Sequence, residues 1–266
     1  MRSKNNLPEV FVFEGLCNRV NTLATALMKW PDGFRLRWIV NKHCPLTFEE
    51  IFDVSKFPEV SVTYDPGKWK EGDYIIDDRE LCYFFLNTSQ PRHVTYETYS
   101  RIYDAVLHPR MDTPANIEQS VGVQLRTKIE YHQRANVPQT VELVDWLCRR
   151  TGAFEIILSS DDQERGEKMT ARLERLGYSV HPLLSDLKGD FDRTNENMKF
   201  FIRSWLLFSL CPYGVTNVVL SSIMDMSRAF GNEVWTIGDI TKRMTLGCSL
   251  FDTYGFDRMV FEPEAE

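Results

Sequence analysis

The second half of the chain alternates between short apolar segments typical of buried strands and amphipathic segments typical of helices. The predicted strands cover residues 120–126, 154–158, 178–181, 217–220 and 233–237, and the predicted helices between them cover 139–149, 163–176, 197–210 and 223–230. A helix that connects neighbouring strands in this way makes a right-handed crossover, so that the strands run parallel. The alternation therefore predicts an α/β fold with a parallel, doubly wound sheet.

The first half of the chain is less regular. Strands are predicted at 10–13, 35–40 and 60–64, a strand or its approach at 73–78, and helices at 18–27 and 46–52. Helical and loop patterns mix between residues 79 and 117, where the segment PRMDTPAN (109–116) has the composition of a linker. We therefore predict two domains, residues 1–117 and 118–266.

The sequence around Gly15 combines a buried strand, a glycine turn and the start of an amphipathic helix. Free backbone N–H groups and the positive end of the helix dipole make such a corner suitable for an anion. Glu14, Asn18, Arg19 and Asn21 add a carboxylate, amide groups and a cation, which together suit a phosphorylated substrate. An ordinary strand-to-helix connection with polar capping explains the same residues equally well.

Composition limits the classes of partner. The formal net charge of −7 disfavours nucleic acid and anionic membranes as partners. No apolar run approaches the roughly 20 residues of a membrane span, and the first ten residues lack the apolar core of a signal peptide. We expect a cytoplasmic protein if the sequence is full length, and a lumenal one if an N-terminal anchor has been trimmed.

The cysteines and histidines are scattered and form no metal-binding motif. The six cysteines contain no C-x-x-C pair, and we predict that they are mostly buried free thiols at positions 17, 44, 82, 148, 211 and 248. No metal site is therefore predicted from them.

Polar residues follow three of the predicted strands. Arg126 suits a diphosphate because its guanidinium offers paired donors, and Ser221 and Ser222 suit phosphate oxygens because they begin a predicted helix. Asp161 and Asp162 suit a ribose or sugar hydroxyl, or cap the following helix. A surface cation and simple helix caps explain each residue singly, but ligands of such sheets bind at the carboxyl ends of the strands. Their convergence on one edge therefore favours a ligand site.

Four sequence blocks, EGLCNR, GVQLRTK, ILSSDD and VVLSSIMDMSRAFG, resemble in this order the fucosyltransferase superfamily. The group includes protein O-fucosyltransferases, core α1,6-fucosyltransferases and bacterial nodulation fucosyltransferases, and the resemblance runs from about residue 10 to residue 237. It implies a GT-B-like architecture, with two Rossmann-like domains and a donor cleft between them. It also implies inverting, metal-independent transfer of a sugar from a nucleotide sugar to a glycan or other hydroxyl acceptor, without a cofactor.

The resemblance also implies site residues. Arg126 corresponds to the arginine that holds the donor diphosphate, and Glu14 to the glutamate that acts as catalytic base in some protein O-fucosyltransferases. With the cations beside these motifs, the predicted donor-binding residues are Gly15, Asn18, Arg19, Gln124, Lys128, Asp161, Asp162, Ser221 and Ser222.

The chain departs from the family pattern in ways that leave the donor open. Gln124 replaces the family histidine, Thr127-Lys128 replaces its basic continuation, and residues 202–209 lack the aspartate that often reads guanine. The donor is therefore a GDP- or UDP-linked fucose or another hexose or pentose. Two alternatives are a non-catalytic nucleotide- or glycan-binding protein and a metal-dependent glycosyltransferase that uses Asp190 and Asp192. A nicotinamide oxidoreductase is disfavoured because no G-x-G-x-x-G is present.

Overall fold

The computed structural model describes residues 7–12, 15–65, 96–107, 113–126, 137–185, 194–217, 223–224, 227, 230, 232–237 and 259–261. The chain divides into two compact units. The N-terminal unit comprises Met1–His108 and Arg193–Met198, and the C-terminal unit comprises Pro109–Asp192 and Lys199–Glu266.

The N-terminal unit contains a three-stranded parallel sheet with strand order β1-β2-β3. Its elements are β1 (Glu9–Val12), α1 (Leu16–Lys29), β2 (Phe34–Trp38), α2 (Phe48–Ile51), β3 (Val60–Thr63) and α3 (Tyr96–Asp104). Alternate residues of β2 are buried, as expected for a strand with one face on the core. Trp38 packs edge-to-face against Phe48 and Phe52, and this aromatic cluster forms much of the core of the unit.

The C-terminal unit contains a larger parallel sheet. The elements along this part of the chain are β4 (Ser120–Leu125), α4 (Val137–Thr151), β5 (Glu155–Ser160), α5 (Gln163–Arg175), β6 (Ser179–Leu184), α6 (Asn195–Phe208), β7 (Tyr213–Thr216), β8 (Glu233–Ile237) and β9 (Met259–Phe261). Every residue of β4 and β5 is buried, because helices cover both faces of such a sheet. Leu143, Leu147 and Met169 pack against these strands in one apolar core.

The six strands lie in the order β6-β5-β4-β7-β8-β9, and all five pairings are parallel. From β4 the chain first builds outward through β5 and β6, and then continues on the other side with β7, β8 and β9. The order therefore reverses between β4 and β7, which is the switch point of a doubly wound sheet. The predicted α/β class and parallel sheet are confirmed.

Most predicted elements agree with the structure to within a few residues. The strand predicted at residues 217–220 lies mostly outside the described residues, and its first residue, Asn217, directly follows the observed strand β7, which ends at Thr216. The observed strand, Tyr-Gly-Val-Thr, is less apolar in sequence than the run after Asn217, and it pairs with β4 along its whole length. Strand β9 was not predicted, and the segment 73–78 lies outside the described residues.

The described cysteines match the prediction for thiols. Cys148 and Cys211 are buried free thiols, Cys44 is buried, and Cys17 is partly exposed. Burial is the main reason that the pKa of Cys148 rises to about 12. Such a thiol stays protonated and acts as a small apolar side chain.

Among the residues that the structure describes, no helix combines the length and the apolar character needed to cross a membrane.

Candidate functional site

The candidate site lies where β4, β5 and β7 end, beside the switch point of the larger sheet. Gln124 is paired in register with Ser159 on one side and with Thr216 on the other. Arg126 follows β4 directly, and Asp161 follows β5 directly. The parallel register therefore brings the predicted residues Gln124, Arg126 and Asp161 to the same edge of the sheet, as the sequence predicted.

Gln124 is buried within the sheet, and its side chain bonds to the neighbouring strand. The hydroxyl of Thr216 donates a hydrogen bond to Gln124 Oε1 over 3.1 Å. A buried amide requires such partners, since an unsatisfied polar group in the interior costs about 1–3 kcal/mol. This contact links β4 to β7 through side chains at the last residue pair of their ladder.

The backbone of Arg126 is held by a residue that sequence reasoning missed. The Arg126 N–H donates to Asn217 Oδ1 over 2.7 Å, and Asn217 Nδ2 donates to the Arg126 carbonyl oxygen over 2.5 Å. Asn217 also donates its own N–H to the Gln124 carbonyl oxygen over 3.4 Å. The sequence signal at this position is an asparagine just before an apolar run, a pattern that predicts the first residue of a strand.

The Arg126 side chain forms an ion pair with Asp161. Its Nε lies 3.5 Å from Asp161 Oδ2, and the side chains are 18% and 3% exposed respectively. Within the described part of the chain, no side chain or backbone oxygen accepts a hydrogen bond from the Arg126 guanidinium. Asp161 therefore orients the cation, and the two terminal nitrogens of Arg126 donate to none of the described residues.

Asp162 caps the helix that follows the second site strand. Its Oδ1 accepts a hydrogen bond from the Arg165 N–H over 3.0 Å, as an N-cap aspartate does. Ser160 donates its hydroxyl to the Asp162 carbonyl oxygen over 2.8 Å and so closes the same turn. Helix capping, one of the two roles considered for this residue, is thus observed, and a ligand contact of Asp162 stays a prediction.

In the N-terminal unit, α1 begins directly after Gly15. Gly15 is the N-cap residue of the helix, with φ −60° and ψ 157°. No side-chain hydrogen bond caps this end of the helix. A Cβ at this position would have no atom within 4 Å, so the described residues leave open space beside the glycine. The Gly15 carbonyl oxygen accepts from the N–H groups of Asn18 and Arg19 over 3.0 and 3.2 Å. Gly15 thus directly precedes the helix, and residues 13 and 14 of the predicted turn lie outside the described residues.

Arg19 is buried inside the N-terminal unit, with only 1% of the residue exposed. Its Nη2 donates to the Ile39 carbonyl oxygen over 2.8 Å and to Asn41 Oδ1 over 3.2 Å. The guanidinium carbon lies 4.7 Å from the centre of the Trp38 ring, in a cation–π contact. These contacts stabilise the packing of α1 on β2, and the predicted donor contact of Arg19 remains untested.

The remaining predicted residues lie outside the described part of the chain. They are Glu14, Lys128, Ser221 and Ser222, together with the aspartates of the alternative metal site, Asp190 and Asp192. Among the described residues, no group of three or more His, Cys, Asp or Glu side chains has an arrangement that could hold a metal ion.

Comparisons with known proteins identify the fold. No protein-family model matches the sequence, and no curated protein matches it significantly. Among solved structures, the NodZ α-1,6-fucosyltransferase soaked with GDP-fucose is similar with a TM-score of 0.52 and 13% identity, over 85% of this chain and 93% of that one. An Arabidopsis thaliana FUT1 mutant in complex with GDP has a TM-score of 0.54 and 10% identity, over 88% of this chain and 71% of that one. This chain has the GT-B-like fold of these fucosyltransferases.

A further solved structure, that of the fucosyltransferase NodZ from Bradyrhizobium, gives a TM-score of 0.51 over 84% of this chain and 93% of that one. The likeness therefore covers most of both chains and does not concern a single unit. The resemblance inferred from the short sequence blocks is confirmed at the level of the fold.

Proposed function

We propose that this protein is an inverting glycosyltransferase, which transfers a sugar from a nucleoside-diphosphate sugar to a hydroxyl group of a glycan or other acceptor. The observation that carries the proposal is Arg126, which directly follows β4 at the switch point of the sheet and has its guanidinium oriented by Asp161. Ligands of doubly wound sheets bind outside the carboxyl ends of the strands at this point. The solved structures that share the fold include complexes with GDP-fucose and GDP.

In the proposed reaction the acceptor oxygen forms a bond to the anomeric carbon as the bond from that carbon to the diphosphate breaks. Negative charge then develops on the leaving nucleoside diphosphate, and the Arg126 guanidinium stabilises it by charge-assisted hydrogen bonds. Because Asp161 already orients this guanidinium, little rearrangement is needed during transfer. Lys128, Ser221 and Ser222 are proposed to contact the same phosphates.

The acceptor hydroxyl must lose its proton, and we assign the base to Glu14. Glu14 immediately precedes Gly15, beside which the described residues leave open space. The other carboxylates at the described strand ends have structural tasks, since Asp161 is paired with Arg126 and Asp162 caps α5. Attack from the face opposite the leaving group, with no covalent intermediate, inverts the configuration at the anomeric carbon.

The first experiment measures binding of GDP and of UDP by isothermal titration calorimetry, without divalent metal, to the wild type and to Arg126→Ala. We expect the substitution to weaken binding by about 1.5–3 kcal/mol, the contribution of hydrogen bonds to charged groups. Arg165→Ala is the matched control, because Arg165 is also an arginine beside an aspartate, Asp162, in the C-terminal unit. Unchanged nucleotide affinity in a folded Arg126→Ala protein would refute the assignment of the diphosphate to Arg126.

The second experiment assays hydrolysis and transfer with a panel of GDP- and UDP-linked sugars, with and without chelator. Turnover that persists in chelator supports the metal-independent reaction. Loss of turnover in chelator, restored by manganese or magnesium, favours the alternative metal site at Asp190 and Asp192.

A non-catalytic binding protein is the second candidate function. The observation in its favour is Gln124, which replaces the family histidine and has its Oε1 occupied by the hydroxyl of Thr216. Nucleotide binding that depends on Arg126, without turnover of any sugar in the panel, would establish this candidate.

A further inference from the structure

The ladder between β4 and β7 ends at the residue pair Gln124 and Thr216. Beyond this pair, the main-chain groups of Arg126 have no backbone hydrogen-bond partner among the described residues. The Asn217 side chain takes the place of that partner. Its oxygen accepts from the Arg126 N–H over 2.7 Å, and its nitrogen donates to the Arg126 carbonyl oxygen over 2.5 Å.

This arrangement satisfies both polar main-chain groups of one residue with one side-chain amide. Asn217 is 2% exposed, so water does not compete freely for these bonds. An amide has one donor end and one acceptor end, which matches the acceptor and the donor of a peptide group. The contact spans 91 positions of sequence and connects the ends of two different strands.

A second, independent contact holds the Arg126 side chain. Asp161, at the end of β5, lies 3.5 Å from its Nε. Arg126 is thus held at two points from two neighbouring strands, with its backbone fixed by Asn217 and its guanidinium oriented by Asp161. Beside Asn217, Thr216 donates a hydrogen bond to the side chain of Gln124.

We propose that Asn217 is a positioning residue, which fixes the backbone of Arg126 so that the guanidinium meets the donor diphosphate without prior rearrangement. The inference rests on the proposed function, because it assigns to Arg126 the binding of a nucleoside diphosphate. Asn217 itself does not contact the ligand in this scheme. Removal of the Asn217 amide releases the main chain of Arg126. The entropic cost of ordering Arg126 on binding then lowers the affinity for the nucleotide.

The test measures the affinity for GDP and UDP of Asn217→Ala, with Asn232→Ala as the matched control. Asn232 also bonds the backbone with its side-chain amide, since its Nδ2 donates to the carbonyl oxygens of Phe208 and Ser209 over 3.1 and 3.4 Å. It precedes β8 and so lies at the opposite ends of the strands. Both substitutions should lower the melting temperature, but only Asn217→Ala should weaken nucleotide binding. We expect a loss of about tenfold, which lies within the coupling measured between residues of one hydrogen-bond network.

A double-substitution cycle with Arg126→Ala separates positioning from a general loss of structure. In the Arg126→Ala background, Asn217→Ala should change nucleotide affinity by less than about twofold, because the residue through which Asn217 acts is gone. Asn217→Ser is the second variant, for the case that the alanine protein does not fold. Serine keeps a polar group in this buried position but is too short to replace both amide bonds, and we expect it too to lose nucleotide affinity relative to Asn232→Ala.

The outcomes are distinguishable. If the wild type binds GDP or UDP and depends on Arg126, while Asn217→Ala or Asn217→Ser binds as well as Asn232→Ala, the positioning role is wrong and the proposed function stands. Equal losses from Asn217→Ala in the wild-type and Arg126→Ala backgrounds would likewise overturn it. If the wild type binds neither nucleotide, the proposed function fails and the positioning role fails with it.

Discussion

Gly122→Ala places a methyl group in the middle of β4, the strand that carries Gln124 and leads to Arg126. A Cβ built at this position lies 2.7 Å from Cδ1 of Phe208 and 3.4 Å from the Cys211 sulfur. Ordinary contacts of this kind begin at 3.4 Å, so the Phe208 ring must move by about 0.7 Å or the strand must shift. Phe208 is 1% exposed and its ring is rigid, so the required space is difficult to make.

The magnitude follows from opposing contributions. Forcing an extra methyl group into a packed core costs about 1–3 kcal/mol, and contact with a rigid buried ring places this site in the upper part of that range. Burial of the methyl group stabilises the folded protein by about 0.8 kcal/mol. Alanine also lowers the conformational entropy of the unfolded chain, which stabilises the folded protein by about 0.4–1 kcal/mol more. We therefore expect Gly122→Ala to lower the free energy of unfolding by about 1 kcal/mol.

Urea denaturation followed by far-ultraviolet circular dichroism measures this loss, and Phe208→Leu provides the control in a double-substitution cycle. Phe208→Leu alone should destabilise the protein, but in its background Gly122→Ala should cost little, because the smaller side chain leaves space for the methyl group. Because β4 positions Gln124 and Arg126, Gly122→Ala should also weaken binding of nucleoside diphosphates. A neutral or stabilising Gly122→Ala, or strictly additive effects of the two substitutions, would refute the steric explanation.

Two further predictions concern carboxylates. Glu14→Gln should reduce turnover by about 10²- to 10⁴-fold with nearly unchanged donor affinity, because it removes a general base but keeps the shape of the side chain. Steady-state assays measure this loss. If the variant keeps more than about a tenth of wild-type turnover while an aspartate proves essential, Glu14 is not the base. In the N-terminal unit, a hydrogen bond from Arg37 is the main reason that the pKa of Glu9 lies below its ordinary value of 4.5. This stabilisation is present above pH 4.5 and is lost as the pH falls through the lower value in the folded protein, so wild type should lose more thermal stability than Glu9→Gln between pH 7 and about pH 3. Melting temperatures measured across this pH range test the prediction, with Glu49→Gln, at an exposed position, as the control. An equal fall of melting temperature in wild type and Glu9→Gln would contradict the assignment.

Local sequence patterns determined the class of the fold and the positions of most elements. Strand β8 was predicted with its observed bounds, Glu233–Ile237, and the helix predicted at 163–176 is observed as Gln163–Arg175. Both signals are local, since strand and helix formation depend on the spacing of apolar residues and on caps such as Asp162. Arg126 and Asp161 were expected at one sheet edge for a similar reason, because parallel strands end on the same side.

The tertiary structure decided which of these residues meet. Strand β7 is Tyr213–Thr216, a segment with a weak local strand pattern that pairs with β4 along its whole length. The bonds from Asn217 to Arg126 and the burial of Arg19 against Trp38 also join residues far apart in the chain. A single sequence carries no direct signal for such pairs, since their free energy depends on strand order and burial. The local elements and the placement of Arg126 and Asp161 at one sheet edge therefore follow from the sequence, whereas the partners that orient the site arise only when the sheet is assembled.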